Sequence, residues 1–334
     1  MSHLQTAVPM CGIDRTHPGK LSHGVRAAIL GACSSLGSPH HGAENGPYFI
    51  RRISGAFTWS AVTPAIVHVH RRSLLFQQVV DLGDFEPGSD SIEVYLKSLE
   101  ALLNLLPPEV APCLIGGDHT ITLAAVRSLL RKRKRPFLVL HFDHHLDLQI
   151  WENALRPDGQ REKIFNTNVM SHVVDLFPEP ALVQVGISPF TTVERDSAEA
   201  LEPYLRKVGA QVPLFSSALR DPAAFRALIG QGKDIYVTLD VDVLESEQMS
   251  STGYPSSVGL RVCELLALID QALEGNRLIG FDLVEFAAPR KSRKAKVLKD
   301  ASTAAHIFLH LLDWASRDEA ATTVGREAQK TVLN

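Results

Sequence analysis

The chain has 334 residues, 45% hydrophobic and 21% charged, and its 34 basic residues against 37 acidic ones leave a formal charge of −3. That is globular composition with material for a large core, and it offers no field for a polyanion, so nucleic acid is not an expected partner. No stretch approaches the ~20 apolar residues of a membrane span, residues 1–20 lack a signal-peptide apolar segment, and Cys11, Cys33, Cys113 and Cys263 form no C-x-x-C pair, so a soluble chain in a reducing cytoplasm is expected.

Residues 1–20, polar and broken by prolines, read as a poorly ordered N-terminal segment. Strand-like apolar runs follow at Val25–Gly31 and Ala65–His70, then a helical pattern at Ile92–Leu106, a strand at Pro112–Gly116 and a helix at Ile121–Arg131. Strands at Phe137–Phe142 and Ala181–Ile187, a helix at Ala198–Val208, a strand at Val212–Phe215 and a helix at Pro222–Ile229 come next. A strand at Ile235–Leu239, a helix at Val262–Leu273, a strand at Leu278–Val284 and a helix at Thr303–Ala315 complete the series. Continuous apolar strands separated by helices imply a mainly parallel sheet covered on both faces: a single three-layer α/β/α domain over residues 1–334. The basic runs Arg131–Arg135 and Arg290–Lys299 read as a solvated helix end and a solvated loop.

In open parallel sheets ligands bind at the carboxyl ends of the strands. Three such ends are rich in polar residues: Gly116-Gly117-Asp118-His119, Asp143-His144-His145-Leu146-Asp147 and Asp240-Val241-Asp242. Any one could be a turn or a helix cap. Together they gather five aspartates and three histidines, which cannot be buried near one another unless cations neutralise them. Carboxylate and imidazole without thiolate suit a divalent ion such as manganese. Extended-chain alternation would turn Asp143, His145 and Asp147 to one side, Asp240 with Asp242, and Glu285 with Phe281 and Leu283.

These blocks resemble the signature blocks of the ureohydrolase (arginase/agmatinase) family, GGDH, D-A-H-x-D and S-x-D-x-D-x-x-D-P. The resemblance extends to Gly31–Arg51, to Ser250–Glu264, to Phe281–Glu285 as a D-x-x-E strand, and to Asp300–Ala305. It implies the arginase-like fold, a trimeric or hexameric homo-oligomer and two divalent ions per chain, most simply Mn2+. His119 and Asp147 would bind one ion, His145 and Asp242 the other, with Asp143 and Asp240 bridging. Such a pair supplies a hydroxide at neutral pH for attack on a guanidinium carbon, releasing urea and an amine. The resemblance makes Glu285 the partner of the substrate guanidinium and has Thr252 line the pocket.

The sequence departs from the family at His144 for the small residue of D-A-H-x-D, at Thr238 for Ser, and at Glu245-Ser246 for D-P. Asn166 stands where arginase-like members carry a proton-relay histidine, and the loop from Leu148 to Phe165 is long. His172 is near, but would face elsewhere in a helical continuation. With no titrating group at 166, the leaving amine would be protonated by Asp147, by water or by the substrate itself. The expected substrate is therefore a guanidino compound other than free arginine, with Asn166 among the residues that meet it. The alternatives are a formimino-group hydrolase, a deacetylase of related fold with one zinc, and a catalytically weakened metal-binding member.

Overall fold

The computed structural model describes residues 4–5, 7–55, 66–68, 73–74, 76–148, 163–190, 202 and 205–317. Among these the strands are β1 (Leu4–Gln5), β2 (Ala27–Ala32), β3 (Val67–His68), β4 (Ser73–Leu74), β5 (Val79–Phe85) and β6 (Ala111–Ile115), then β7 (Phe137–Phe142), β8 (Leu182–Ile187), β9 (Ala210–Pro213), β10 (Asp234–Asp240) and β11 (Arg277–Val284). The α-helices are α1 (Gly46–Ser54), α2 (Ile92–Leu103), α3 (Ile121–Lys132), α4 (Val169–Val174), α5 (Pro222–Ile229), α6 (Val262–Leu273) and α7 (Ala295–Ser316).

Nine strands form one sheet in the order β1-β5-β2-β6-β11-β10-β7-β8-β9, while β3 and β4 make a separate pair. Every pairing in the large sheet is parallel except that of β1 with β5. Alternate residues of each strand feed two apolar cores. Ile29, Cys113, Leu140, Val185 and Val237 face α1, α5, α6 and α7, while Leu30, Leu114, Val139 and Leu182 face α2, α3 and α4. The expected three-layer α/β/α architecture with a mainly parallel sheet is the observed one.

The element bounds differ from expectation where polar residues interrupt apolar runs. Strand β5 was not expected, because Asp81, Gly83 and Asp84 break its pattern. Its carboxylates are buried against Arg51 of α1, another unexpected element: Arg51 donates through Nε to Asp84 at 2.7 Å, through Nη1 to Asp81, and through Nη2 to the Gly83 carbonyl at 2.9 Å. Strand β9 begins two residues earlier than expected, and α7 begins at Ala295 rather than Thr303. The Arg131–Arg135 run is less solvated than expected, since Lys132 donates to the carbonyl of Leu103 at 2.9 Å and Arg133 pairs with Asp234. The expected helix Ala198–Val208 lies in large part outside the described residues, and of the expected strand Ala65–His70 the described residues 66–68 contain β3. Near the N-terminus, Leu4 and Gln5 pair with β5, Met10 is buried, and the Met10 amide donates to Asp81.

Arg51 is 1% exposed, so removing it would strand two buried carboxylates. Arg51→Leu is expected to lower the unfolding free energy by about 3–5 kcal/mol, read as a fall in the urea midpoint at unchanged slope.

Candidate metal centre

The carboxyl ends of the four adjacent strands β6, β11, β10 and β7 supply the site. After β6, Gly117 threads between β2 and β11: a Cβ there would lie 2.1 Å from the Ser34 carbonyl oxygen, so only glycine fits. The Asp118 amide then donates to Ser34 O, and its carboxylate accepts from the amides of Thr120 and Gly37 at 3.0 Å each. Asp118 is therefore the tie that closes this turn, and it delivers His119 to the head of α3.

His119 is fully buried and its two nitrogens have different partners. Thr238 has one hydroxyl proton, which it donates to Asp282 at 2.6 Å, so at 2.9 Å it must accept from His119 Nε2. Asp282 also accepts from the hydroxyls of Tyr236 and Thr122. The proton is thereby fixed on Nε2, and Nδ1 presents its lone pair to the site. Nδ1 makes no hydrogen bond among the described residues, yet lies 3.0 Å from Asp147, 3.3 Å from Asp143 and 3.4 Å from Asp240. A buried lone pair facing three carboxylates is repulsive unless a cation stands between them, so the residues fit a metal ion.

A second group shares Asp143. Its Oδ2 turns toward His119, while Oδ1 lies 3.5 Å from His145 Nδ1, which is 3.0 Å from Asp242. Ligand atoms of His119, His141, Asp143 and Asp147 converge within 4.8 Å of one another, as do those of Asp143, His145 and Asp242. Asp240 joins from the first side, and its Oδ1 accepts from the Asp242 amide at 2.8 Å. The six residues expected as ligands are thus gathered, but extended-chain alternation is not what gathers them. Residues 143–148 leave the strand, and Asp147 has a left-handed φ of 50°. Asp242 sits in a short 3-10 turn, not on β10.

Charge repulsion is visible throughout. Burial, and then the charges of Asp242 and Asp143, push Asp240 well up. Burial and then Asp143 push Asp242 to about 6. For His145 burial acts downward, but the hydrogen bonds with Asp143 and Asp242 outweigh it and hold the ring at about 12.

Glu285 lies one residue beyond β11, also with a left-handed φ (64°), so alternation along the strand does not aim it either. Its Oε1 accepts from the His119 amide at 2.8 Å and from Asn166 Nδ2 at 3.2 Å. Burial and then the charge of Asp118 raise it to about 8. Asn166 is anchored through its own amide to Gly37 O. The structure therefore brings Asn166 to Glu285, whereas His172 reaches the Lys163 carbonyl. Thr252 has a buried hydroxyl with no hydrogen-bond partner among the described residues. Tyr254, two residues on, packs edge-on to His145 and His40. His144 packs edge-on to His145, and burial lowers it. Most of the loop expected to border the substrate mouth, residues 149–162, lies outside the described residues.

Sequence reasoning missed the supporting residues His141, Gln184, Tyr236 and Thr122. The signal was a polar residue inside an otherwise apolar strand run, as in Phe137–Phe142 and Leu182–Ile187.

A family model for arginases matches residues 25–312. The chain belongs to the arginase family. As a member it is a ureohydrolase-type enzyme, of the class that cleaves C–N bonds outside peptides. A human protein named guanidino acid hydrolase, mitochondrial, is 29% identical over 84% of this chain and 77% of its own length. A guanidinopropionase of Pseudomonas aeruginosa is 27% identical over 83% of each chain. In fold, the proclavaminate amidino hydrolase of Streptomyces clavuligerus aligns with a TM-score of 0.72 at 24% identity, over 94% of this chain and 99% of that one. A Trypanosoma cruzi formiminoglutamase solved with Mn2+ aligns at 0.66 and 18% identity, over 88% and 94%. Among the described residues of this arginase-family chain, no helix is long and apolar enough to cross a membrane.

The hydroxyl that orients His119 can be tested. Thr238→Val is expected to weaken divalent-ion binding about 10–100-fold, measured by titrating chelator-treated protein with Mn2+.

Proposed function

We propose that this arginase-family enzyme holds two divalent ions, most simply Mn2+, and hydrolyses a guanidino compound other than free arginine to urea and an amine. The observation that carries the reading is that Asp143 belongs to both convergent ligand groups, one oxygen toward each, with buried Glu285 alongside. His119 and Asp147 would hold one ion and His145 and Asp242 the other, with Asp143 and Asp240 between. When bound, the pair supplies an activated water at neutral pH.

The remaining roles fall to the chain. Both donors to Glu285 reach Oε1, which leaves Oε2 as acceptor for a guanidinium N–H and orients the planar group for attack. Asn166 fixes the rotamer of Glu285, and as an amide it cannot relay protons. We assign to Asp147 the proton that the leaving amine needs; burial and then the charge of Asp143 raise its pKa. Thr252 lines the pocket. The names of the relatives, guanidino acid hydrolase and guanidinopropionase, support a tail unlike that of arginine. Four free thiols, one of them exposed, favour a reducing compartment, which we take to be the cytoplasm, and a homo-oligomer is expected.

Three outcomes follow from these roles. Metal analysis of active protein should find two divalent ions per chain; Asp143→Ala should lose both, and Asp242→Ala chiefly one. A single tightly bound zinc would overturn the binuclear reading. Glu285→Gln should retain both ions while kcat/KM falls by the ~2–5 kcal/mol of a lost charge-assisted bond, roughly thirty- to several-thousand-fold. In a urea-release assay across arginine, agmatine and linear guanidino acids, turnover of arginine should be the poor case. Rapid arginine hydrolysis would reject the substrate reading, and formamide from a formimino compound would redirect it.

A further inference from the structure

We infer that Gln211, Gln184 and His141 form a side-chain relay across the sheet that positions Asp143, and that His141 is a positioning residue for the ion pair rather than a ligand to it. The inference rests on the reading of Asp143 as the shared ligand.

The relay lies in register. Asp282 of β11, Thr238 of β10, His141 of β7, Gln184 of β8 and Gln211 of β9 stand opposite one another on adjacent strands, a single polar row through a buried sheet. Its hydrogen bonds run in one direction. Gln211 Nε2 donates to Gln184 Oε1 at 2.9 Å, and Gln184 Nε2 lies 2.7 Å from the Leu146 carbonyl and 3.1 Å from His141 Nδ1. A carbonyl oxygen only accepts, so Leu146 fixes which end of the Gln184 amide is nitrogen. That nitrogen donates its second hydrogen to His141 Nδ1. The imidazole proton is therefore on Nε2, 2.8 Å from Asp143 Oδ2. Asp143 Oδ1 accepts from the His145 amide at 2.5 Å. Each carboxylate oxygen thus receives one hydrogen bond from the protein and retains a lone pair for an ion.

The competing role for His141 is ligation, since its Nε2 is among the convergent ligand atoms. Ligation needs a bare Nε2, which moves the proton to Nδ1 and aims it at the Gln184 amino group. Turning that amide would bring its oxygen to within 2.7 Å of Leu146 O, acceptor against acceptor. His141 and Gln184 are both 0% exposed, so no solvent relieves either conflict. His119 also carries its proton on Nε2, held there by Thr238, but the ring is turned so that its bare Nδ1 faces the site.

The test uses the full-length chain with 15N-labelled histidine, with and without a diamagnetic divalent ion (Zn2+), and Mn2+ titration of the same proteins. The wild-type His141 spectrum should show Nε2–H and bare Nδ1. Gln184→Leu should give a mixture of tautomers and about 10–100-fold weaker Mn2+ binding; Gln211→Leu, at the exposed end of the row, serves if Gln184→Leu does not fold, and should give a smaller shift of the same sign. His141→Phe should still reach two ions per chain at saturating Mn2+, with weakened affinity, and His141→Gln, which keeps an N–H donor, should recover part of it. Loss of one whole ion in His141→Phe would make His141 a ligand and overturn the relay, as would an unaltered tautomer in both glutamine variants. A wild-type chain that never reaches two ions would instead reject the binuclear reading, while the tautomer spectrum still judges the relay.

Discussion

The mutual repulsion of buried carboxylates governs this structure. Asp143, Asp147, Asp240, Asp242 and Glu285 are all buried around three imidazoles, those of His119, His141 and His145. The buried guanidinium of Arg51 is already engaged elsewhere, by Asp81 and Asp84. Even three histidines, were all of them charged, could not neutralise five ionised carboxylates, and each uncompensated buried charge costs several kcal/mol. The arrangement makes sense only around multivalent cations. This is also why these groups come from the ends of four adjacent strands: no single turn could hold so many like charges, whereas a rigid sheet imposes their separation from outside.

The sheet does more than separate charges. Through Thr238 and Gln184 it holds the proton of two neighbouring histidines on Nε2, and the rings turn opposite nitrogens to the site, bare Nδ1 from His119 and Nε2–H from His141. Rings whose centroids lie 5.0 Å apart thus differ in chemistry because of the strand behind each. A buried polar group in a strand would ordinarily weaken the core. Here each has its partners in the same row or on α3, and the row is as much a part of the site as the ligands.

Much of this was legible in the sequence. Apolar runs ending in acidic and histidine blocks revealed the layer order and the six residues that converge at the candidate centre, because strand ends and residue chemistry are local properties. Helices at Pro222–Ile229 and Val262–Leu273 have the bounds that periodicity suggested. Strand β5 was hidden because the charges of Asp81 and Asp84 are met by Arg51, some thirty residues away. Strand β9 was misplaced because the apolar run continues into Phe215, which is exposed and left-handed. The aim of Asp147 and Glu285 was misread because alternation assumes extended backbone. The partners of Asn166 and His141 depend on register between distant strands, which no single-chain pattern encodes.

Asp147 and Glu285 hold positive φ angles without being glycine, a conformation that costs on the order of 1–3 kcal/mol at each. Both also sit in the repelling cluster. In the metal-free chain, Asp147→Gly or Glu285→Gly would relieve backbone strain and charge repulsion at once, so selection for thermal robustness of that form would erode these two positions. On the roles proposed for Asp147 and Glu285, heat resistance of the metal-free chain and catalytic competence pull in opposite directions at the same two residues, and a thermostability screen that ignores turnover would reward the loss of activity.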